Sequence, residues 1–280
     1  AFRDKQVSMK RATTCTCNAC RNIPTLDLKF IAHHGDYIVQ HVREIRELVG
    51  TDVNLVHRLL KNRVAESTGW RAYVMLTETC LEHLEVGLGH AHEQMEEVEH
   101  LGSVKTYAID LHARYKEITD ERRIILDETE ADVVLRIDFP TPPPVTWEWI
   151  QDPLKRNQWM MGHVRWSIGD RPNGRTGRGA SNHCAHGNSL STEVTLDWRP
   201  FEYSTVESYE NGKKTFFETI RLEPLPNGGT RVHDVMQMQL PLPRFLKRPL
   251  ARVILMRQMH YDQYLKKAVQ LAGEEYAKSS

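Results

Sequence analysis

The chain has 280 residues, which is more than one compact core usually serves, so its length predicts two domains. Hydrophobic residues make up 40% of the chain and charged residues 26%, as in ordinary globular proteins. The 37 basic and 37 acidic residues balance, so the net charge favours neither nucleic acid nor an anionic membrane as a partner, and no apolar run approaches the length of a membrane span.

The first part of the chain, residues 1–118, is predicted to alternate short strands with helices. The sequence LDLKFIA alternates apolar and polar residues, and a second apolar run begins after the turn at Gly35, which indicates two strands. From Asp52 onward the apolar period is that of a helix. The other predicted elements are the end of a helix at 2–11, a strand at 72–76, a helix capped by Thr77, and a strand at 104–111. The charge-dense residues 119–130 are predicted to form a linker.

Three closely spaced cysteines lie in a predicted loop. They are Cys15, Cys17 and Cys20, in a C-x-C-x-x-C pattern. Three such thiols could chelate zinc if His33, His34 or a partner chain supplied a fourth ligand, and an iron–sulfur cluster would need a further thiolate such as Cys80. The alternative is that all three are free. Because five cysteines are an odd number and the first residues lack a signal-peptide core, a reducing, cytoplasmic setting is predicted.

The second part, residues 131–280, has the pattern of an antiparallel sheet followed by a helix. A strand at 133–137 ends at the prolines of PTPPP, because proline cannot donate to a strand ladder. Asn211-Gly212 between two alternating runs is a strong hairpin signal. The predicted elements after the prolines are two short helices at 145–150 and 154–160, strands at 164–168, 177–185, 191–198, 203–209, 215–222 and 231–240, and one long helix at 244–276.

This order of strand, two short helices, six strands and a long helix resembles the START-like superfamily, also described as polyketide cyclase-like or helix-grip. The resemblance covers residues 131–276 and rests on topology rather than on a signature motif. It implies a curved antiparallel sheet that encloses, with the long C-terminal helix, a cavity for lipids, sterols, polyketides or aromatic compounds. Some members of the superfamily are catalytic.

Two carboxylates are predicted to face this cavity. In the last strand the more apolar set of alternating residues includes Asp234 and Met236, and in the preceding strand it includes Glu218. Two inward carboxylates on neighbouring strands are costly unless they are paired, hydrated or protonated, and such a pair could perform acid–base chemistry. The alternative is that one of them lies at the open rim or bonds an arginine such as Arg257 of the long helix.

Three further side chains are candidates for the cavity. Trp166 and Trp198 belong to apolar sets of their strands, so they line either the cavity or the core. His260 lies beside the apolar stripe of the predicted long helix and could reach the cavity, or could be a satisfied histidine of the core or rim.

The first part of the chain resembles the later portion of a class III nucleotidyl cyclase domain. In that family a strand ending in a His-x-Gly turn precedes a helix of the form G-x-x-V-N-x-x-x-R. The matching residues are His33, Gly35, Gly50, Val53, Asn54 and Arg58. The resemblance implies that Asn54 and Arg58, which are four residues apart on one helical face, descend from residues that contact the ribose and the triphosphate.

Departures from the cyclase pattern predict an inactive domain. The metal-binding aspartates of the family are expected upstream of the match, and Thr51 stands where a base-selecting aspartate is expected. Asn54 would then cap its helix, and Arg58 would pair with a surface carboxylate. The chain does not begin with Met, which fits either processing or a fragment of a longer protein.

The fold class predicted for the whole chain is α+β, with a truncated cyclase-like α/β sandwich followed by a helix-grip. The predicted division is a cyclase-like domain at 1–118, a linker at 119–130 and a START-like domain at 131–280, an arrangement that resembles bacterial tandem proteins of unassigned function. The first functional hypothesis is a binding module for a small hydrophobic molecule, in which the cyclase-like domain serves regulation or homodimerisation. The alternative is an enzyme, either through acid–base chemistry in the cavity or as a nucleotidyl cyclase in a longer parent protein.

Overall fold

The computed structural model describes residues 2–13, 15, 17–84, 87–160, 164–172, 174–187 and 189–279. The chain divides into two compact units, of which unit 1 comprises Ala1–Pro24 with Arg122–Ser280 and unit 2 comprises Thr25–Glu121. The first residues of the chain are thus grouped with its C-terminal half, while the functional division at residues 118 and 131 stays a prediction. No helix among the described residues combines the length and apolar character that crossing a membrane requires.

Short runs of strands and helices are interspersed in unit 2, whereas the described residues of unit 1 include six strands that follow one another without an intervening helix. The helices are α1 (Phe2–Ala12), α2 (Asn18–Asn22), α3 (Thr51–Leu59), α4 (Val64–Thr68), α5 (Glu78–His83), α6 (Leu111–Glu121), α7 (Pro143–Gln151), α8 (Pro153–Trp159), α9 (Arg244–Val253) and α10 (Tyr261–Ser279). The strands are β1 (Lys29–Ala32), β2 (Ile38–Val42), β3 (Ile45–Val49), β4 (Tyr73–Thr77), β5 (His92–Val98), β6 (Gly102–Asp110), β7 (Val133–Phe139), β8 (Val164–Ile168), β9 (Ser181–His186), β10 (Ser189–Arg199), β11 (Tyr203–Glu210), β12 (Lys213–Pro224) and β13 (Thr230–Met238).

Unit 2 contains a sheet of order β1-β4-β6-β5, in which β1 and β4 are parallel and the other neighbours are antiparallel. Leu55 and Leu59 of α3 pack on Tyr73 and Met75 of β4, so the apolar stripe of the helix covers the sheet. A separate hairpin joins β2 to β3. The sequence pattern predicts no strand at β3, because half of the residues between Arg43 and Gly50 are charged.

Unit 1 contains an antiparallel sheet of order β7-β13-β12-β11-β10-β9-β8, with α7 and α8 inserted between its two edge strands. The turn between β11 and β12 has Asn211 at φ 51° and Gly212 at φ 73°, which suits the right-handed twist of the two strands. The core lies between the sheet and the helices and includes Trp147, Trp159 and Ala268. The curled sheet and C-terminal helix confirm the predicted α+β class and its helix-grip half.

The C-terminal helix is not continuous, so the prediction of one helix over residues 244–276 is wrong. After α9 the chain forms a π-turn at Ile254–Gln258, in which the Met259 N–H donates to the Ile254 carbonyl oxygen over 2.9 Å. His260 then adopts a left-handed φ of 50°, which ends the helical path. Helix α10 therefore begins at Tyr261, whose buried side chain faces the sheet.

Candidate functional site

A cavity of about 560 Å³ lies in unit 1 between the sheet, α7, α8, the π-turn and α10. This volume is within the range of pockets that hold small organic molecules. Most of the wall is apolar. Its larger apolar side chains include Trp159, Trp166, Phe216, Ile220, Met236 and Met238.

One part of the wall is a buried ion pair between α8 and β10. Arg156 is 4% exposed and Glu193 is 5% exposed, and the Arg156 Nη1 donates to both Glu193 oxygens over 2.9 and 3.1 Å. The Arg156 Nε donates to the Ile150 carbonyl oxygen over 2.6 Å, and the Asn182 amide donates to Glu193 over 3.1 Å. Each charge therefore has several partners, as a charge removed from water requires.

A pair of carboxyl groups lies beside this ion pair. Glu218 of β12 lines the cavity and remains partly accessible there, whereas Asp234 of β13 is 1% exposed. Ile220, and not Glu218, is directly opposite Asp234 in the strand register, so the two carboxyls are diagonal neighbours on one face of the sheet. The Tyr261 hydroxyl donates to Asp234 Oδ2 over 2.9 Å, and Asp234 Oδ1 has no hydrogen-bond partner among the described residues.

The protonation of this pair follows from burial and like charge. Burial raises the pKa of Glu218 well above its usual range, and the carboxylates of Asp234 and Glu193 raise it further against the opposing charge of Arg156. Burial also raises the pKa of Asp234 to about 6, while Glu218, Tyr261 and Arg156 act in the opposite direction. At neutral pH the two carboxyls therefore share one proton and keep one negative charge. The site can donate a hydrogen bond to a ligand, accept one, or transfer a proton.

The predicted cavity residues are only partly brought together. Trp166 and Met236 line the cavity beside Glu218, and the Arg156 guanidinium lies 4.6 Å from the centre of the Trp166 ring. Asp234 stands behind the wall and reaches the site through its contacts with Glu218 and Tyr261.

Trp198 and His260 are outside this group. The Trp198 ring packs edge-on against Trp147 at 4.8 Å, in the core, because a bulge between Thr195 and Asp197 reverses the alternation of β10. His260 is exposed at the break that precedes α10.

Sequence patterns missed three polar residues of the site. Arg156 is the partner that the buried carboxylates use, and Arg257, which was considered for that role, is exposed. The missed signal is the spacing of Arg156 with Pro153 and Trp159, three residues apart in the buried stripe of α8. Glu193 is missed because, when the bulge is unknown, Val194, Leu196 and Trp198 form the apolar face of the strand. The role of Tyr261 is missed because the helix break before it gives no local sequence signal.

The three N-terminal cysteines of unit 1 lie close together. The Cys15, Cys17 and Cys20 sulfur atoms are all within 4.8 Å of one another, which is close enough to hold one metal ion. Cys17 is the N-cap of α2 and accepts a hydrogen bond from the Cys20 backbone N–H. This bond is the largest of the effects that lower the pKa of Cys17 to about 7. All three residues are free cysteines.

The two cyclase-like residues of unit 2 lie on α3. Gly50, and not Asn54, occupies the N-cap, so the expectation that Asn54 caps its helix is wrong. The Arg58 Nη1 lies 3.3 Å from Glu99 Oε2, a surface pair.

The residue that anchors the His-x-Gly turn is Asp52. Its Oδ2 accepts the Asp36 N–H over 2.6 Å and its Oδ1 lies 3.4 Å from His33 Nε2. A side chain at Gly35 would overlap the Asp52 carboxylate, since an added Cβ would be 2.3 Å from Oδ2.

The curled antiparallel sheet and the C-terminal helix define a helix-grip fold in unit 1. Residues 130–268 match the family described as "Polyketide cyclase / dehydrase and lipid transport", and the C-terminal part of the chain carries a domain of this family. Residues 1–68 match a family described as "Protein of unknown function (DUF2652)".

Similar proteins are known from several bacteria. The "Uncharacterized protein Rv2561/Rv2562" of Mycobacterium tuberculosis is 34% identical over 111 residues, which are 39% of this chain and 50% of that protein, so the chain spans half the length of this curated relative.

Solved structures are similar to parts of the chain. Protein MLL2253 from Mesorhizobium loti is 16% identical, with 51% of this chain and 96% of that chain covered and a TM-score of 0.40. CalU16 from Micromonospora echinospora is 13% identical, with 68% and 96% covered and a TM-score of 0.33. DynU16, from the dynemicin biosynthetic locus, is 13% identical, with 49% and 45% covered and a TM-score of 0.37.

Proposed function

We propose that unit 1 binds a small hydrophobic molecule in its cavity. The observation that carries this proposal is a ligand-sized space with a mostly apolar wall, into which one group of polar side chains is built. A cavity of this kind exposes apolar surface that water solvates poorly, so an apolar ligand gains free energy by filling it. The polar group around Glu218 would fix the orientation of the ligand.

The proposal is tested with the full chain. Purified protein is analysed by native mass spectrometry and by organic extraction, followed by thermal-shift screening against lipids, sterols and aromatic compounds. A stoichiometric apolar molecule, or a concentration-dependent rise in Tm with one compound class, is expected. A Met236→Trp variant, whose larger ring enters the cavity, should lose that rise. A protein that carries no molecule and responds to no compound class would overturn the proposal.

A second candidate function is acid–base catalysis on the bound molecule. The pair of Glu218 and Asp234 favours it, because one protonated and one ionised carboxyl at neutral pH could serve as acid and base. Once a ligand is identified, incubation with wild type and with Glu218→Gln distinguishes the two functions. Conversion by wild type alone supports catalysis, and unchanged ligand with both proteins supports binding only.

Unit 2 is proposed to act as a catalytically inactive, cyclase-like unit that regulates or dimerises the protein. Support for dimerisation comes from the β2–β3 hairpin, in which Ile38 is 69% exposed and Ile45 is 64% exposed. A two-stranded hairpin is marginally stable without cover, and a second copy of the chain would provide it. In sedimentation experiments Ile38→Lys should shift a dimer to monomer, whereas Leu154→Lys, at an exposed leucine of unit 1, should not. A wild type that is monomeric at all concentrations would contradict dimerisation.

The cysteine cluster is proposed to bind zinc, with a fourth ligand that a water molecule or another residue supplies. The mutual distances of the three sulfurs support this, because a tetrahedral zinc site accepts three thiolates. The unpaired thiols also fit the reducing, cytoplasmic setting that we propose. Metal analysis of protein purified without chelator should give close to one zinc per chain, and Cys17→Ser should lower it. Less than about a tenth of an equivalent in wild type would overturn the site.

A further inference from the structure

Negative charge exceeds positive charge in the wall of the cavity. Among the described residues that line it, the carboxyl side chains are Glu193, Glu210 and Glu218, and the basic side chains are Arg156 and the imidazole of His186. Asp234 adds a further carboxyl directly behind the wall, where it is 1% exposed.

The guanidinium of Arg156 already has a counterion. Its Nη1 donates to both oxygens of Glu193, and its Nε donates to the Ile150 carbonyl oxygen. The pair of Glu218 and Asp234 therefore lacks a positive counterpart of its own, and even with one shared proton it retains a negative charge.

Besides the proton that its members share, this carboxyl pair has one hydrogen-bond donor among the described residues. The Tyr261 hydroxyl donates to Asp234 Oδ2, and Asp234 Oδ1 is buried with no partner in that part of the chain. A buried acceptor without a donor destabilises the fold, and more so when it is charged. Glu218 is the member of the pair that a molecule in the cavity can touch, because its side chain is accessible there.

On the basis of the cavity-binding function proposed above, we propose that the ligand is a hydrophobic amine whose protonated nitrogen lies against Glu218. An ammonium group supplies both the missing positive charge and up to three N–H donors, while its hydrocarbon part packs against side chains such as Trp166, Phe216 and Met236.

Acidic and neutral ligands fit the wall less well. A carboxylate would enter a space that already has surplus negative charge and would compete with Glu193 for the positive charge of Arg156, so it would be buried without a counterion of its own. An alcohol could exchange one hydrogen bond with Glu218 but would leave the charge of the pair unbalanced. The order of affinity expected from charge is therefore amine, alcohol, carboxylate.

Three probes with the same alkyl chain test this order. Decylamine, decanol and decanoate, each below the concentration at which it forms micelles, are titrated into the full-length protein to displace the neutral dye Nile red. Decylamine should bind at least about ten-fold more tightly than decanol, which corresponds to the 1.4 kcal/mol expected at minimum for a charged hydrogen bond. Decanoate should bind most weakly.

Two variants test whether Glu218 is the residue that makes the cavity prefer an amine. Glu218→Gln should weaken decylamine by at least about ten-fold and leave decanol unchanged, because the amide retains the shape but cannot ionise against an ammonium group that lies beside it. Glu210→Gln, which also removes a carboxylate from the wall, serves as the matched control and should change the decylamine affinity by less than about three-fold. If Glu218→Gln does not fold, as judged by circular dichroism, the series of probes on wild type decides alone.

The possible failures can be told apart. Equal affinity for the three probes, or tightest binding of decanol or decanoate, overturns the amine ligand and leaves the cavity-binding function standing. A loss of decylamine affinity in Glu210→Gln as large as in Glu218→Gln overturns the role of Glu218. No displacement of the dye by any probe, together with an empty purified protein, overturns both proposals.

Discussion

The Tyr261 hydroxyl donates to Asp234 Oδ2 over 2.9 Å and so joins the first residue of α10 to the last strand of the sheet. The bond exists because the helical path breaks at His260, which sets the starting point of α10. Both residues are buried, and Tyr261 is the hydroxyl donor that Asp234 has in this structure. The pKa of Tyr261 is raised well above its usual range by burial, with further contributions from the carboxylates of Asp234 and Glu218, so the phenol stays a donor.

Removal of the Tyr261 hydroxyl should destabilise unit 1. Tyr261→Phe leaves Asp234 Oδ2 without its donor, and we expect the free energy of unfolding to fall by about 1–3 kcal/mol. Urea denaturation followed by tryptophan fluorescence measures the change. Tyr37→Phe is the control, since the Tyr37 side chain is 60% exposed and should lose almost nothing. Equal stabilities of Tyr261→Phe and wild type would show that the bond does not stabilise the fold.

The ion pair of Arg156 and Glu193 should show strong coupling. Arg156→Met leaves a buried carboxylate without its counterion, and Glu193→Gln leaves a buried guanidinium, so each change should cost about 3–5 kcal/mol. The double variant should cost clearly less than the sum of the two, because it leaves neither charge alone. Denaturation of the four proteins gives the coupling free energy. The same cycle on Arg231 and Asp138, an exposed pair at 2.8 Å, should give less than about 1 kcal/mol.

Strand patterns predict much of unit 1, because the sheet is antiparallel with one face toward the core and alternation is a local property. The pattern of β12 predicts an inward Glu218, and the structure has it in the cavity wall. The hairpin at Asn211 is equally local, because its two turn residues adopt left-handed conformations that asparagine and glycine tolerate.

The remaining features of the site depend on contacts distant in sequence. No glycine or proline marks the break at His260, so the left-handed residue must be maintained by tertiary packing. The bulge in β10 is likewise invisible in the sequence. Unless its position is known, the face of the sheet on which Glu193 lies cannot be assigned. Arg156 was missed because a charged residue in a helix is assigned to solvent by default, although here its partner is on another element.

Gly35 should be required by its close approach to Asp52. In Gly35→Ala the new methyl group overlaps the Asp52 carboxylate that binds the Asp36 N–H, so we expect a loss of about 1–3 kcal/mol in unit 2. Hydrogen exchange across residues 25–121 measures it. Gly87→Ala is the control, since nothing lies within 4 Å of its added Cβ. The methyl group should destabilise unit 2 less when Asp52→Ala is also present. An equal loss of stability in both backgrounds would rule out the overlap as the cause.

The raised pKa of Asp234 should make unit 1 less stable as pH rises. In the unfolded chain this carboxyl titrates near its ordinary value of 3.8, and in the folded protein near 6. The folded state therefore holds the proton more tightly, so the stabilising contribution is complete below about pH 4 and is lost as pH rises through 6. The shift corresponds to about 3 kcal/mol.

Asp234→Asn should remove the contribution of Asp234 to this dependence, because an amide does not titrate, whereas Glu218, whose pKa burial also raises, continues to contribute. Urea denaturation of wild type and variant at several pH values between 4 and 7 gives the difference in their free energies of unfolding. This difference should grow in favour of the variant as pH rises. Asp138→Asn is a control of opposite sign: its bond with Arg231 lowers the pKa of Asp138, so that carboxylate stabilises the fold at higher pH and loses its contribution on acidification. If Asp234→Asn and wild type kept a constant difference over this range, Asp234 would not be the titrating group.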